Sequence, residues 1–588
     1  MEKYTRLLSS KHNHRIFFLI FLNIIAIFFE TVGIALIPIF ISILIDPNAL
    51  NFLPFGFIEP VLKELGYENI AKYGALVLII LFIFKNILSL IIILVEASFK
   101  AKLNFTLKKL FFSLYTKSPF QIINLYNSSD IIRNIDNEAQ QYVSNFFLLI
   151  KFAKEFLLFL SIFFLLLFVD FVSTLIAVSL LLFFLLSYFL FFKKKLKIIG
   201  EKLLESKRNL FKWINQSLGS IKEIKISRKE NFILDEFLKH VTLFEHSNKN
   251  RNIIQSLPSI FFELAFVIIA LTIITIIVSS KNAETIGVLS LYIIAGVRLL
   301  PIFSKFGSYV TNLRASYPSV IHLNKEFDKL KKYQTNHKFN SEINNLEQIN
   351  FTKKILIKDL NFNYDESVNI LNKINLEINK GETIALVGQS GSGKTTLVNI
   401  ICGLLEIKDG YIEVDSKRIN PDTNNWQKKI GLLSQENYLI DETIKNNIIF
   451  LNEESEINNK NLDDAIYFSG LSDLIKNLPD GINTIVGEKG NFLSGGQIKR
   501  IALSRLLYRD PEILILDEFT NSLDFEIEDH ILNNLKELQS KKNKTIIMIT
   551  HKMKPLKICN KIYILKQGNV AEKLNYNDFY DKFSALYN

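Results

Sequence analysis

The sequence predicts a multidomain protein, with an all-α domain of six transmembrane helices followed by an α/β domain built around a glycine-rich loop. Three observations predict it. Six apolar stretches occupy the first half of the 588-residue chain, at about 17–45, 73–98, 146–169, 172–192, 258–279 and 285–306. Each has the roughly 20 residues needed to cross the hydrocarbon core of a bilayer. The composition agrees, with mean hydropathy +0.22 and 50 Phe among 49% hydrophobic residues, more than a soluble enzyme needs. The third observation is Gly388-Gln389-Ser390-Gly391-Ser392-Gly393-Lys394-Thr395, set between the apolar run Thr383–Val387 and a helix-compatible run from Thr396. That order of strand, loop and helix is the order of a P-loop.

The flanks of the apolar stretches set their orientation. Lys3, Arg6, Lys11 and Arg15 precede the first; Lys100, Lys102, Lys108 and Lys109 follow the second; Lys193, Lys194, Lys195 and Lys197 follow the fourth. The connection between the first two carries Asp46, Glu59, Glu64 and Glu68 against Lys63. The positive-inside rule then puts both termini, and the glycine loop, in the cytoplasm. The net charge of +11 is accounted for by these flanks and calls for no nucleic-acid partner. The first apolar run is too long for a signal peptide, and no small-residue cleavage site follows it. Cys402 and Cys559 stand in no metal-ligand spacing and read as reduced structural thiols.

The external connections between the third and fourth and between the fifth and sixth spans are short. The two cytoplasmic connections run to roughly fifty residues, far beyond ordinary loops, and are rich in helix formers. They are expected to continue the spans and turn back near Ser118–Asp130, around Pro119, and near Asn215–Ile226, around Gly219. In the first external connection Ile58, Leu62 and Leu65 share one helical face. That pattern fits a short helix in the outer interface or one capping the bundle mouth. Pro38, Gly33, Pro258 and Pro301 mark expected kinks. Glu30, Lys85, Glu263 and Arg298 fall within the spans and are expected to face the bundle interior or a polar cavity. Two readings stand side by side: ion pairs of Glu with Lys or Arg, or a path for an anionic cargo lined by Lys85 and Arg298. Residues 1–325 thus form the membrane domain, 326–348 a polar linker, and 349–588 the α/β domain.

Within that domain, Gly388, Gly391 and Gly393 allow main-chain N–H groups to turn around phosphate oxygens, with Ser390 and Thr396 alongside. Lys394 can reach terminal phosphates, and the Thr395 hydroxyl can complete a Mg²⁺ shell. Ile513-Leu514-Ile515-Leu516-Asp517-Glu518 reads as a buried strand ending in two carboxylates. Asp517 can hold Mg²⁺, partly through water, and Glu518 can polarise a water attacking the γ-phosphate. Between these segments lies Leu493-Ser494-Gly495-Gly496-Gln497, ahead of a helix-like run from Ile498 to Tyr508. A hydroxyl and glycine N–H groups at a helix N-terminus make a second phosphate-binding surface, and one nucleotide does not need two from one domain.

With these motifs the chain resembles the ATP-binding cassette (ABC) exporters of half-transporter type, over essentially its whole length. The resemblance implies a type IV exporter fold and a homodimer binding ATP and Mg²⁺ in the cytoplasmic membrane. In it, Ser494, Gly495, Gly496 and Gln497 close on ATP held by the other subunit's P-loop. It further implies that Tyr364 stacks on adenine and that Gln435, in Leu433-Ser434-Gln435, senses Mg²⁺ and water. Asp524, in Ser522-Leu523-Asp524, belongs to the D-loop, and His551 contacts the γ-phosphate. Thr484-Ile485-Val486-Gly487-Glu488 resembles the exporter loop that touches cytoplasmic helices. Phe519-Thr520-Asn521, Lys552 and Ile498 depart from the usual residues, yet Glu518 and His551 are both present, which implies two competent sites per dimer. In the membrane half, Glu30-Thr31-Val32-Gly33, Phe84-Lys85-Asn86, Pro258 with Glu263, and Val297-Arg298-Leu299-Leu300-Pro301 look like bacterial lipid-linked oligosaccharide flippases. That resemblance implies that Lys85 and Arg298 bind a pyrophosphate-linked glycolipid, although Ser259 stands where a third basic residue is expected. The alternatives are an exporter of a peptide, lipid or small hydrophobic compound, or a membrane-anchored ATPase acting as a sensor. The six spans exclude a soluble DNA-repair ATPase.

Overall fold

The structure, a computed structural model, describes residues 6–7, 13–45, 67–279, 285–344, 349–364, 369–420, 424–450 and 456–587. The chain divides into two units, Met1–Ser118 with Leu125–Lys332, and Tyr333–Asn588 with the segment Pro119–Asn124.

The first unit is built from six long helices: α1 (Asn13–Ile45), α2 (Tyr67–Thr116), α3 (Ala139–Val169), α4 (Phe171–Gly219), α5 (Glu230–Ser279) and α6 (Thr285–Asn344). Each carries one of the six apolar stretches. Five contain an apolar run long enough to cross a membrane, while the run on α4, Phe171–Phe184, is shorter among the described residues. At 1.5 Å per residue a 50-residue helix such as α2 or α5 is about 75 Å long, against about 30 Å of hydrocarbon. The spans therefore continue well beyond the apolar stretch, as the helix-forming connections imply.

Both expected reversals are present. After α2 the chain breaks at Lys117–Pro119 and makes short helices over Phe120–Ile123 and Ser128–Arg133. After α4 it makes a helix over Ile221–Ser227 and turns at Arg228, in the left-handed region at φ 50°. Pro38, Pro258 and Pro301 lie inside continuous helices. The residues read as a linker begin as the C-terminal part of α6, which stays helical to Asn344. Charged residues there do not end the helix, because most are good helix formers. The expected helix around Ile58, Leu62 and Leu65 lies outside the described residues.

In the second unit, β1 (Lys354–Asn363), β2 (Asn369–Asn379), β4 (Asp409–Val414) and β5 (Lys417–Ile419) form an antiparallel sheet in the order β2-β1-β4-β5. The larger sheet has the order β10-β9-β3-β8-β7-β6, from β3 (Thr383–Val387), β6 (Ile430–Leu433), β7 (Ile513–Asp517), β8 (Thr545–Ile549), β9 (Lys561–Lys566) and β10 (Asn569–Leu574). It is parallel from β9 to β6, with β10 antiparallel at its edge. Every residue of β3, β7 and β8 is buried, which is why these strands read as unbroken apolar runs rather than alternating ones. The helices that matter for the site are α7 (Lys394–Ile401), α8 (Asn459–Phe468), α9 (Gly495–Tyr508) and α10 (Phe525–Lys542).

Candidate nucleotide site

The carboxyl ends of β3, β7 and β8 are neighbours in the sheet, and each opens into a loop of candidate residues. This is where ligands bind in open parallel sheets. After β3 comes Gly388, and the chain enters α7 at Lys394 with Gly393 as its N-cap. Gly393 has φ 97°, and a Cβ there would meet Leu371 Cδ2 at 2.6 Å. A loop wound this tightly requires glycine. Lys394 Nζ donates to the carbonyls of Gly388 (2.8 Å) and Gln389 (2.9 Å), so its ammonium sits inside the curl of its own loop. Burial lowers its pKa, while Glu518 and Asp517 draw it back up. Ser390 and Thr395 are exposed and Thr396 is buried. The Tyr364 hydroxyl lies 3.5 Å from Thr396 Oγ1, with the Tyr364 ring half-exposed and edge-on to Phe362 at 5.0 Å.

Asp517 ends β7. Burial pushes its carboxyl up to about 6, the Glu518 charge adds to this, and Lys394 and Lys499 oppose it. Glu518 follows with φ 47°, and its N–H continues the ladder to the Ile549 carbonyl at 2.9 Å. That bond sets Glu518 beside the loop after β8, and His551 Nε2 lies 3.5 Å from Glu518 Oε1. Gln435, two residues past β6, donates from Nε2 to Glu518 Oε2 at 2.9 Å. The structure thus brings two predicted residues from two other loops, Gln435 and His551, onto the carboxylate of Glu518.

Two further residues on Glu518 escaped sequence reasoning, one on its carboxylate and one on its main-chain carbonyl. Asn521 Nδ2 donates to Glu518 Oε2 at 3.0 Å. Lys499, on α9, donates from Nζ to the Glu518 carbonyl at 2.8 Å, bracing a main chain held in the left-handed region. Lys552 donates to the Thr520 carbonyl at 3.0 Å. Asn521 and Lys552 stood out in the sequence only as departures from a pattern; nothing local marked Lys499.

Ser494 caps α9 in a reciprocal box: its Oγ accepts from the Gln497 N–H, and its own N–H donates to Gln497 Oε1 at 2.8 Å. Ser494 and Gly495 are exposed. A Cβ on Gly496 would stand 2.6 Å from the Ser522 carbonyl, so this glycine lets the Ser494–Gln497 turn rest against Ser522. Asp524 is exposed at the start of α10 and makes no side-chain cap. Among the described residues no hydrogen bond joins Ser494–Gln497 to the loop of Lys394. The segment Thr484–Glu488 is tied to the chain before Ile444, through Ile444 N to Thr484 O (3.0 Å) and Val486 N to Glu442 O (3.1 Å), and leaves Ile485 exposed.

Residues 371–521 match the family described as ABC transporter. Across the whole length, the fold is similar to a solved bacterial Atm1-family ABC exporter with ATP bound, at TM-score 0.77 and 18% identity, covering 98% of this chain and 97% of that one. The fold is that of an ABC exporter. Its second unit carries an ABC transporter ATP-binding domain, fused to the membrane helices in one chain. Two curated relatives are similar to this chain over 235 residues, or 40% of its length. The leukotoxin translocation ATP-binding protein LktB of Pasteurella haemolytica-like sp. (strain 5943B) is 35% identical. The alpha-hemolysin translocation ATP-binding protein HlyB of Escherichia coli O157:H7 is 37% identical. The matched part spans about a third of the length of each relative (33%).

In the membrane unit, Lys85 Nζ lies 3.3 Å and Arg298 Nη1 3.4 Å from the same oxygen, Oε1 of Glu30. Of the two readings of these cations, ion pairing is present. Lys305 likewise pairs with Glu155 at 2.7 Å. Glu263 is exposed on α5, so within this chain it does not face the packed bundle interior, the first of the two settings expected for it. The α5 face that packs on α6 is taken up by Pro258, Phe262 and Phe266, and Glu263 falls outside it.

Proposed function

We propose that the protein is an ATP-driven exporter that works as a homodimer in the cytoplasmic membrane, with the ATP-binding domain and both termini in the cytoplasm. The observation that carries this reading is the convergence of Gln435, Asn521 and His551 on Glu518, beside Asp517 and the Lys394 loop, in a chain with an ABC exporter fold. Gly388, Ser390, Gly391, Gly393, Lys394, Thr395 and Thr396 hold the phosphates, and Tyr364 meets the base. Ser494, Gly495, Gly496 and Gln497, with Asp524, complete the site of the partner subunit.

The donors for Mg²⁺ are the Thr395 hydroxyl, the Asp517 carboxylate and the Gln435 carbonyl oxygen. These are hard oxygen ligands and suit that ion; Gln435 uses its nitrogen on Glu518 and keeps its oxygen available. The ion, when bound, neutralises phosphate charge. Glu518 accepts the proton of the attacking water, Gln435 and Asn521 hold the carboxylate in place, and His551 stands where it can donate toward the γ-phosphate. Shared nucleotide makes closure of the two ATP-binding domains depend on ATP, because a ligand shifts such an equilibrium only through its differential affinity for the closed state.

For the cargo, the favoured reading is a lipid-linked oligosaccharide or related polyprenyl-pyrophosphate glycolipid, flipped across the membrane. Two cations around the single carboxylate of Glu30 leave positive charge for an anionic headgroup. The second reading is export of a polypeptide, favoured by the translocation named for the relatives of the ATP-binding half. Reconstituted vesicles decide between them. Flipping of a fluorescent polyprenyl-pyrophosphate sugar, reduced more than basal ATPase by Lys85→Ala or Arg298→Ala, supports the first. Equal losses in both activities leave these residues as structural ion pairs, and ATPase stimulation by peptide alone supports the second.

A further inference from the structure

The triad Lys85–Glu30–Arg298 holds two cations against one anion, and the Arg298 side chain is 39% exposed. On α5, Glu263 lies in an outward stripe with Ile260, Leu264, Val267 and Leu271, all exposed. Among the described residues it has no hydrogen bond or ion pair. A carboxylate that faces lipid within a span is costly and rarely left so.

The depths of the two charges can be compared through the packing of α5 on α6. These helices run antiparallel: Gln255 Nε2 donates to Ser308 Oγ at 3.1 Å, the rings of Phe262 and Phe303 are 5.5 Å apart, and Phe266 packs on Gly296. Arg298, two residues from Gly296 and five from Phe303, therefore lies level with about residue 265 of α5. Glu263 is two residues away, about 3 Å of helix rise. A twofold axis along the membrane normal leaves depth unchanged. Two copies related by it put the Glu263 of one at the level of the Arg298 of the other.

We infer that Glu263 of each copy forms an ion pair with Arg298 of the partner subunit, so that the positive surplus of the Glu30 triad is neutralised across the dimer. This rests on the homodimer proposed above. It joins two features that are each unexplained in one chain: an acid with no partner on an outward face, and a cation sharing an anion already engaged. It also gives the cargo site a switch. A pair made across the two copies is broken when they separate at this level, which frees Arg298 for an anionic group and leaves it occupied otherwise.

The experiment uses the full chain in lipid nanodiscs, with two differently tagged copies co-expressed, one carrying Glu263→Cys and the other Arg298→Cys. The native Cys402 and Cys559 are both buried. A short thiol-to-thiol reagent is expected to give a product bearing both tags that requires both introduced cysteines, in nucleotide-free or ATP-trapped protein. Absence of the product in both states, while mass photometry still counts dimers, overturns the pairing and leaves the exporter reading standing. Absence of dimers in every state overturns the exporter reading instead.

Arg298→Cys also removes a contact to Glu30, so a second variant guards against misfolding. Glu263→Gln keeps size and removes charge, and is expected to weaken dimerisation about thirtyfold or more, as for loss of one partner of a buried charge pair. An unchanged dimer affinity overturns the proposal. So does a variant in which only the response to an anionic lipid is lost, since the Arg298 charge would then be met by cargo rather than by the second copy.

Discussion

Glu518→Gln separates proton acceptance from every other contribution of this side chain. Glu518 Oε2 accepts from Gln435 at 2.9 Å and Asn521 at 3.0 Å, and Oε1 faces His551 Nε2 at 3.5 Å. A glutamine in the same rotamer keeps an oxygen for the first two donors and turns its amide nitrogen toward His551. Packing and main-chain position are conserved, including the bond from the Glu518 N–H to Ile549. What disappears is the ability to take a proton. General-base loss typically costs 10²–10⁴-fold, about 3–5 kcal/mol in the barrier. In nanodiscs with saturating Mg–ATP, phosphate release is expected to fall by that factor while ATP still binds. The unhydrolysed nucleotide is then expected to hold two chains together, visible as a persistent dimer by light scattering. Turnover within about tenfold of the unaltered protein refutes the assignment. Loss of ATP binding refutes it differently, by showing that the carboxylate supports the ground state.

Lys499→Met removes the brace on the Glu518 carbonyl and is expected to lower turnover by about ten- to a hundredfold through misplacement, with ATP affinity unchanged by fluorescent-nucleotide titration. Arg505 donates to the carbonyls of Asn447 (2.8 Å) and Tyr438 (2.9 Å) and to Asn447 Oδ1 (2.8 Å). Arg505→Met should destabilise the ATP-binding domain by about 2–4 kcal/mol, read by thermal unfolding; an unchanged midpoint shows these bonds to be dispensable. For Asp415, burial pushes the carboxyl up, but hydrogen bonds from Thr352, Lys353 and Lys354 outweigh it and hold the group at about 2. A depressed carboxyl stabilises the fold above its unfolded value and loses that contribution as pH falls through about 4 toward 2. The unfolding midpoints of the unaltered protein and Asp415→Asn should therefore differ at pH 7 and converge in that window, and a constant gap contradicts this.

How much of this was legible in the sequence depends on how far apart the interacting residues lie in the chain. The glycine loop could be read because its geometry is local: one strand, one turn and one helix start, with Gly393 required by its own φ. The buried strands β3, β7 and β8 could be read because a strand covered on both faces is apolar throughout. Glu518 was identified by its place at the end of β7. Its setting was not legible, because Lys499 reaches it from 19 residues away and Gln435 from 83, through a sheet order that no spacing encodes. Asn521 is local, three residues on, but an Asn after a strand fits a turn equally well. The helical character of the 326–344 part of the linker was not legible for a related reason: charge ends a membrane span without ending a helix, so α6 runs on to Asn344.

The membrane half shows the same limit more sharply. Ionisable residues inside spans are individually conspicuous, since hydrocarbon makes each one costly. Their pairing is not, because Glu30 meets Lys85 across 55 residues and Arg298 across 268. Once the pairs are known, charge balance becomes informative where sequence was silent. Lys305 and Glu155 close on each other, whereas the Glu30 triad keeps a surplus cation and α5 an unmatched acid at nearly the same depth. In the proposed homodimer, complementary charges left over at one depth would be completed by the second copy in the same sense as the ATP site. Ser494 and Gly495 stand exposed and apart from the Lys394 loop they would complete. The soluble and the membrane halves thus support, by separate chemistry, the proposed assembly with a second copy of the chain.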